Sequence, residues 1–330
     1  IEKLKKFKQK ELTKKQQNTY MVLMDYLRRQ KNLSMYPYYE RILGKTSGQQ
    51  AQILLTLSEY RLKNEKDIKS YFQLLKGLDG YFDSLIEYSK EQVKRNLFLS
   101  DQSLKEVLQQ IQNVIKQKEN NMLVATFNLR IADIKGINAA QKKKYCRENK
   151  KLIGTKVLPA YEKLYSHLQA LNGNGKNENG LYYYKNGKEY YKVLVAQKTG
   201  SDKTIEEMIE ISDRSIEKCL RKLIKLQKKY PNIINEYRNH KKNIKIVQNP
   251  QNILNKLRQK MVKYYPKAPK VSCKIKYVHK TMEEYTSPAF YMVPEIDSYK
   301  ENVIYINKAQ TAELYPTLAH EGYPGHLYQN

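Results

Sequence analysis

The stretch HEGYPGHLYQN, residues 320–330, places a His-Glu pair and a second histidine within seven consecutive positions. In the metal-binding pattern H-E-x-x-H the two histidines are four residues apart, so they lie about 40° apart around an α-helix and share one face. His320 and His326 are six residues apart, which corresponds to about 120° on a regular helix. A regular helix therefore cannot turn both imidazoles toward one metal ion.

The Pro-Gly insertion in this stretch offers a way around that geometry. Pro324 has no backbone N–H and disfavours a regular helix, and Gly325 tolerates backbone angles that other residues avoid. We therefore expect a kink or bulge that swings His326 back toward His320. On this hypothesis His320 and His326 are ligands of Zn²⁺, and Glu321 is the general base that activates water. The alternative is that His320 caps or packs and His326 only ends the helix.

Length and composition indicate a folded protein. The chain has 330 residues, of which 40% are hydrophobic and 11% aromatic, and 29 are tyrosines, which is enough for a sizeable buried core. No run of 18 apolar residues is present, so we predict no transmembrane segment in this chain. Because the sequence opens on Ile1 and stops within the motif, we expect a fragment cut at both ends.

The chain is strongly basic, with 61 Lys and Arg against 33 Asp and Glu and a net charge of +28. Such a charge is compatible with binding to nucleic acid or to an anionic surface. The positive residues are spread along the chain, however, and no RNP, KH, zinc-finger or helix-turn-helix pattern accompanies them. We therefore predict no nucleic-acid partner and keep a basic nucleic-acid binder only as the least favoured alternative.

The remaining metal-ligating residue types suggest no second site. The three cysteines are far apart and odd in number, which predicts neither a disulfide framework nor a cysteine-based zinc site. His167, His240 and His279 have no partner at ligand spacing, so we interpret them as ordinary surface or packing residues.

Apolar periodicity predicts a helical region over residues 1–170. Within residues 67–93 one face collects Ile68, Phe72, Leu75, Phe82, Leu85 and Ile86. The run LNGNGKNENG, residues 171–180, predicts a loop, and residues 171–200 read as a connector rich in Gly, Asn and Tyr. Residues 201–330 contain further helices, a small sheet and the motif helix, and we expect all three regions to be parts of one larger domain.

The region after residue 200 changes its period from helical to alternating. Thr204 and Glu207 form a capping-box pattern that opens a helix, on whose apolar face Cys219 is expected to be a core residue. Alternation predicts strands in KVSCKIKYVHK, residues 270–280, and in ENVIYIN, residues 301–307.

A third strand is predicted in SPAFYMVP, residues 287–294. Its bounding prolines, Pro288 and Pro294, suit an edge or irregular strand and not a central one. We thus expect a small sheet over about residues 270–307, followed by the motif helix from near Thr311.

Four segments resemble one known family. SPAFYMVPEIDSYKENVIYIN, residues 287–307, and LYPTLAHEGYPGHLYQ, residues 314–329, are similar almost word for word to the signature region of the bacterial family called domain of unknown function 885, whose hallmark is H-E-x-x-P-G-H. KTSGQQAQILLTLSEYR, residues 45–61, and GKEYYKVLVAQKTGSDKTIEEM, residues 187–208, resemble its N-terminal and middle segments.

The resemblance implies a mainly α-helical, gluzincin-like metallopeptidase fold with a small β-sheet before the active-site helix. It implies Zn²⁺ as cofactor, a peptide as substrate, and a secretion or lipoprotein signal. The expected location is therefore extracytoplasmic, either secreted or anchored to the membrane by an N-terminal lipid outside residues 1–330; a cytoplasmic location is the alternative. It further implies a third metal ligand, a glutamate of an E-G-W-type segment downstream of the motif, so we expect residues 1–330 to be inactive alone.

The resemblance also suggests roles for the edge strand. Ala289, Phe290, Tyr291 and Met292 would hold the substrate backbone by strand addition, and Tyr291 or Tyr323 would donate a hydrogen bond to the oxyanion. The resulting hypothesis is a zinc-dependent peptidase. The alternative from another class is a non-catalytic, surface-anchored binding protein with the same fold, which has no need of Glu321 as a base.

Overall fold

The computed structural model describes residues 1–330 apart from 46–47, 233, 237–238, 240–248, 279, 281–282, 284–285, 295–298 and 311–313. The fold is mainly α-helical with one small sheet, as expected. The chain divides into two compact units, Ile1–Leu226 and Gln227–Asn330. The boundaries predicted near residues 170 and 200 stay a prediction.

The first unit is built from helices joined by short turns. They are α1 (Glu2–Lys5), α2 (Lys14–Leu33), α3 (Gln49–Ser58), α4 (Glu65–Lys94), α5 (Asp101–Lys116), α6 (Met122–Ala132), α7 (Ala139–Leu152), α8 (Leu158–Gln169), α9 (Gly187–Thr199) and α10 (Ile205–Lys229). A π-helical turn, Ile153–Val157, joins α7 to α8, and single 3₁₀ turns lie at Gln9–Glu11, Lys118–Asn120 and Leu181–Tyr183. Among the helices in the described ranges, none is both long and apolar enough to cross a bilayer.

Helix α4 supplies much of the core of the first unit. It begins at an Asn64–Asp67 capping box, which satisfies backbone N–H groups of its first turn. The apolar face predicted for it is buried throughout, and the ring of Phe72 stacks on that of Phe127 with centroids 5.6 Å apart. Each such buried side chain contributes about 1.5–3 kcal/mol of hydrophobic stabilisation.

Helix α10 confirms one prediction and contradicts another. Thr204 and Glu207 make both hydrogen bonds of the predicted capping box. Most of the apolar face of α10 is nevertheless exposed, and Cys219, expected in a core, is exposed with it. Periodicity specifies which face of a helix is apolar, but it does not specify what covers that face.

In its described residues the second unit combines helices with the sheet. Its elements are α11 (Pro250–Met261), β1 (Ser272–Tyr277), β2 (Ala289–Met292), β3 (Glu301–Ile306), a 3₁₀ turn at Lys308–Gln310, α12 (Leu314–Glu321) and α13 (His326–Gln329). The strand order is β1-β3-β2, with β1 parallel and β2 antiparallel to β3. The short Pro-bounded strand thus lies at an edge of the sheet, as predicted.

A single apolar cluster holds this unit together. Ile304 and Ile306 of β3 are fully buried against Ile253 and Leu254 of α11 and Leu318 of α12. The beginning of α12 is thereby packed on the sheet, and its end, which carries the motif, is directed by that packing. The helix is described from Leu314, and the predicted start near Thr311 lies outside the described residues.

Candidate metal centre

The motif interrupts its helix and does not merely kink it. Helix α12 ends at Glu321, the chain turns through Gly322–Gly325 with a cis peptide bond between Tyr323 and Pro324, and α13 begins at His326. The Gly325 N–H donates to the Ala319 carbonyl at 3.0 Å and closes this turn. The Pro-Gly pair therefore brings His326 back toward His320, as expected. It does so by ending one helix and starting another, and not by bending a continuous helix.

Both glycines of the turn lie where a side chain does not fit. A Cβ on Gly325 would lie 1.6 Å from the carbonyl oxygen of His320, and one on Gly322 would lie 2.7 Å from that of Leu318. These contacts are with backbone atoms, which cannot rotate away as a side chain can. The close approach of the two helix ends, and of the histidines they carry, thus depends on glycine at position 325.

The turn brings the two imidazoles together. The ring centroids of His320 and His326 lie 4.8 Å apart, with the rings nearly perpendicular at 83°. One ligand atom from each of His320, Glu321 and His326 lies within 4.8 Å of the others, and within the described residues this is the one group of three or more such side chains. Both histidines are exposed to solvent, whereas Glu321 is buried. The site is therefore accessible from solvent at its nitrogen ligands and enclosed at its carboxylate.

Glu321 is held in place by the edge strand. Its Oε2 accepts a hydrogen bond of 2.9 Å from the backbone N–H of Tyr291 in β2, while Oε1 lies 4.0 Å from Nε2 of His320. One carboxylate oxygen is thus fixed by the main chain and the other faces the histidine. This leaves Oε1 as the oxygen available to a proton of water.

The predicted substrate strand has its outer edge partly engaged. The Tyr291 N–H donates to Glu321, so the backbone polar groups of Tyr291 face away from β3. Ala289 lies two residues earlier, and its backbone groups therefore have the same orientation. The Ala289 carbonyl accepts a hydrogen bond from the Ser287 hydroxyl at 2.8 Å. Phe290 and Met292 alternate with them and are half-buried. A role of this strand in holding a substrate stays a prediction.

The two candidate tyrosines are both buried, and burial raises the pKa of each hydroxyl, so both remain protonated at neutral pH. The Tyr291 hydroxyl donates to Oδ1 of Asn302 at 2.7 Å. The Tyr323 ring lies in the apolar cluster with the Arg258 guanidinium 5.7 Å from its centroid. Oxyanion stabilisation by Tyr323 or Tyr291 stays a prediction, and the engaged hydroxyl favours another role for Tyr291.

Sequence reasoning missed Asn302 and Asn307. Both are buried, and Asn307 ties the end of β3 to the preceding segment through hydrogen bonds from its Nδ2 to the carbonyls of Glu283 and Thr286. A signal was present, because asparagine is depleted in strands and ENVIYIN contains two. Of the other histidines, His167 is exposed on α8 as interpreted, and His240 and His279 lie outside the described residues.

Comparison with known proteins supports the fold. The chain is similar, with a TM-score of 0.74 and 17% sequence identity, to a crystal structure called "the putative lipoprotein from Colwellia psychrerythraea". The similarity covers 87% of this chain and 53% of that one, so the chain spans about half the length of its structural relative. No curated protein matches the chain.

The family comparison confirms the resemblance of the motif segments. The family described as "Bacterial protein of unknown function (DUF885)" matches residues 1–330. The chain therefore belongs to this family of bacterial proteins, domain of unknown function 885.

Proposed function

We propose that this chain carries the metal-binding half of a zinc-dependent peptidase site that hydrolyses peptide bonds with metal-activated water. The observation that carries the proposal is the pairing of two exposed imidazoles, 4.8 Å apart, beside a buried carboxylate with one oxygen fixed by a backbone N–H. A purely structural zinc site has no need of that carboxylate, whereas hydrolysis needs a base at this place.

The residues fit two of the three protein ligands that a catalytic zinc requires. His320 and His326 would bind the ion through neutral imidazole nitrogens. Their ligand nitrogens already lie within 4.8 Å of one another and both side chains are exposed, so an ion could reach them from solvent. The third ligand, in this proposal, is a glutamate outside residues 1–330, as the family resemblance implies.

When bound, zinc would polarise the peptide carbonyl and make water more acidic. Glu321 would accept the proton of that water at Oε1, because its Oε2 is already bonded to the Tyr291 N–H. The buried position of Glu321 keeps its carboxylate directed at the histidines and out of bulk water. The proton would then pass from Glu321 to the leaving amine.

The proposed compartment follows from the structural relative, whose name includes "lipoprotein". We propose an extracytoplasmic location for the whole protein on that basis. A non-catalytic surface protein of the same fold would share this location, so the alternatives are separated by chemistry and not by compartment.

The first test is zinc uptake by the chain once it is extended with the family segment that follows the motif, which would supply the third ligand. Competition titration should show one zinc site, weakened more than about 100-fold in His320→Ala and in His326→Ala, since each removes a direct ligand. His167→Ala, which removes an exposed histidine from α8, is the matched control and should bind as the parent does. Absence of zinc binding by this extended parent chain would overturn the site.

The second test is cleavage of a mixed peptide library. We expect little turnover by residues 1–330, and chelator-sensitive turnover once the chain is extended with the family segment that follows the motif. Glu321→Gln should then abolish cleavage while leaving zinc affinity within a few fold, because the isosteric amide cannot accept the proton. Cleavage that survives both the chelator and Glu321→Gln would exclude the mechanism.

A further inference from the structure

The contacts of Tyr291 connect three parts of the candidate centre. We propose that Tyr291 and Asn302 are its positioning residues: Asn302 fixes the Tyr291 side chain, and Tyr291 fixes Glu321 through its main chain and His326 through its ring. The inference rests on the proposed function, because such positioning matters only if His326 and Glu321 serve a bound metal.

The first step is the rigidity of Asn302. It lies on the central strand β3, is only 4% exposed, and its Nδ2 donates to the carbonyl oxygens of Ser272 at 3.2 Å and Tyr299 at 3.0 Å. Because carbonyl oxygens only accept hydrogen bonds, these two contacts fix which end of the amide is the nitrogen. Oδ1 is consequently turned toward Tyr291 and can only accept.

The second step is the anchoring of Tyr291 at both ends. Its backbone is paired with Ile304 in the sheet, and its hydroxyl donates to Oδ1 of Asn302 at 2.7 Å. A change of Tyr291 rotamer would leave a buried acceptor on Asn302 without a partner, which is costly. The ring therefore has one stable position.

The third step links that ring to the ligand. The rings of Tyr291 and His326 lie nearly parallel, at 23°, with centroids 6.4 Å apart. His326 is exposed, so in the absence of such a neighbour its imidazole would have free rotamers to lose when it binds a metal. The fixed ring of Tyr291 restricts this freedom before binding, and the N–H of the same residue holds Glu321.

The test compares two buried asparagines of the same strand region. Zinc affinity of the full chain is measured by competition titration for Tyr291→Phe, Asn302→Ala and the control Asn307→Ala. The first two should bind zinc about 10-fold more weakly, as is typical when residues behind metal ligands are removed. Asn307 bonds to the carbonyls of Glu283 and Thr286 and not to Tyr291, so Asn307→Ala should lower the melting temperature and leave zinc affinity within about twofold.

A second readout needs no metal. In imidazole NMR spectra of the metal-free protein, Tyr291→Leu should shift the His326 ring signals, because the ring current of Tyr291 is lost, while the His167 signals stay unchanged. If Tyr291→Phe and Asn302→Ala lose thermal stability but keep native zinc affinity and native His326 signals, the positioning role is wrong. An extended parent chain that takes up no zinc would instead overturn the proposed function and this inference with it.

Discussion

Replacing Gly325 with alanine tests the geometry that brings the two histidines together. The added Cβ would lie 1.6 Å from the His320 carbonyl oxygen and 2.7 Å from that of Ala319. Real Cβ atoms stay at least 3.0 Å from such atoms, so the two backbone segments must separate by about 1.4 Å. That movement takes the Gly325 N–H out of hydrogen-bond range of Ala319, now at 3.0 Å, and moves His326 away from His320.

The expected loss of unfolding free energy is about 2–4 kcal/mol. Overpacking accounts for about 1–3 kcal/mol of this and the lost hydrogen bond for about 1 kcal/mol. Zinc affinity should fall at least about 10-fold, because the imidazoles no longer meet.

The measurements are urea unfolding followed by circular dichroism and zinc competition titration. Gly77→Ala is the matched control: Gly77 lies inside α4, where an added Cβ has no neighbour within 4 Å. The same chemical change should there raise stability by up to about 1 kcal/mol. A Gly325→Ala protein with native stability and native zinc affinity would refute the steric reasoning.

Three further predictions follow from burial and contacts. Gly322→Ala should cost less than Gly325→Ala, about 1–2 kcal/mol in urea unfolding, because part of its clash is with the movable end of the Leu254 side chain. Cys219 should react with a maleimide in the native protein much faster than Cys273, because Cys219 is exposed and burial raises the pKa of the Cys273 thiol to about 11. Mass spectrometry measures the two labelling rates, and equal rates would contradict this prediction. Burial raises the pKa of the Tyr71 hydroxyl from its ordinary value of 10.0 to about 12. The contribution of this protonated hydroxyl to the free energy of unfolding is therefore complete below pH 10 and is lost as the pH rises through about 12. Urea midpoints at about pH 9 and about pH 11 should therefore differ less in Tyr71→Phe than in the parent protein.

Local patterns predicted the elements well where one segment contains the whole signal. The capping box at Thr204, the face of α4 and the edge position of β2 each follow from a few adjacent residues, and each is present in the structure. The pairing of His320 with His326 was also within reach, because Pro324 and Gly325 lie between them.

Contacts between distant segments were not predictable in the same way. The hydrogen bond from Tyr291 to Glu321 joins residues 30 positions apart, and that from Tyr291 to Asn302 depends on strand register. Register is set by packing of the whole sheet, which no single segment encodes. Cys219 illustrates a second limit of sequence reasoning. An amphipathic helix whose apolar face is not packed against other described residues has the same sequence pattern as a buried helix.

The order of the strands has a consequence for how the second unit folds. β3 lies between β1 and β2 in the sheet but follows both in sequence. Neither β1 nor β2 can form its ladder until residues 301–306 are available for pairing, and the motif helix α12 is described from Leu314, eight residues after the end of β3. The sheet thus forms in one late step, and any chain that stops before β3 exposes two strands without their common partner.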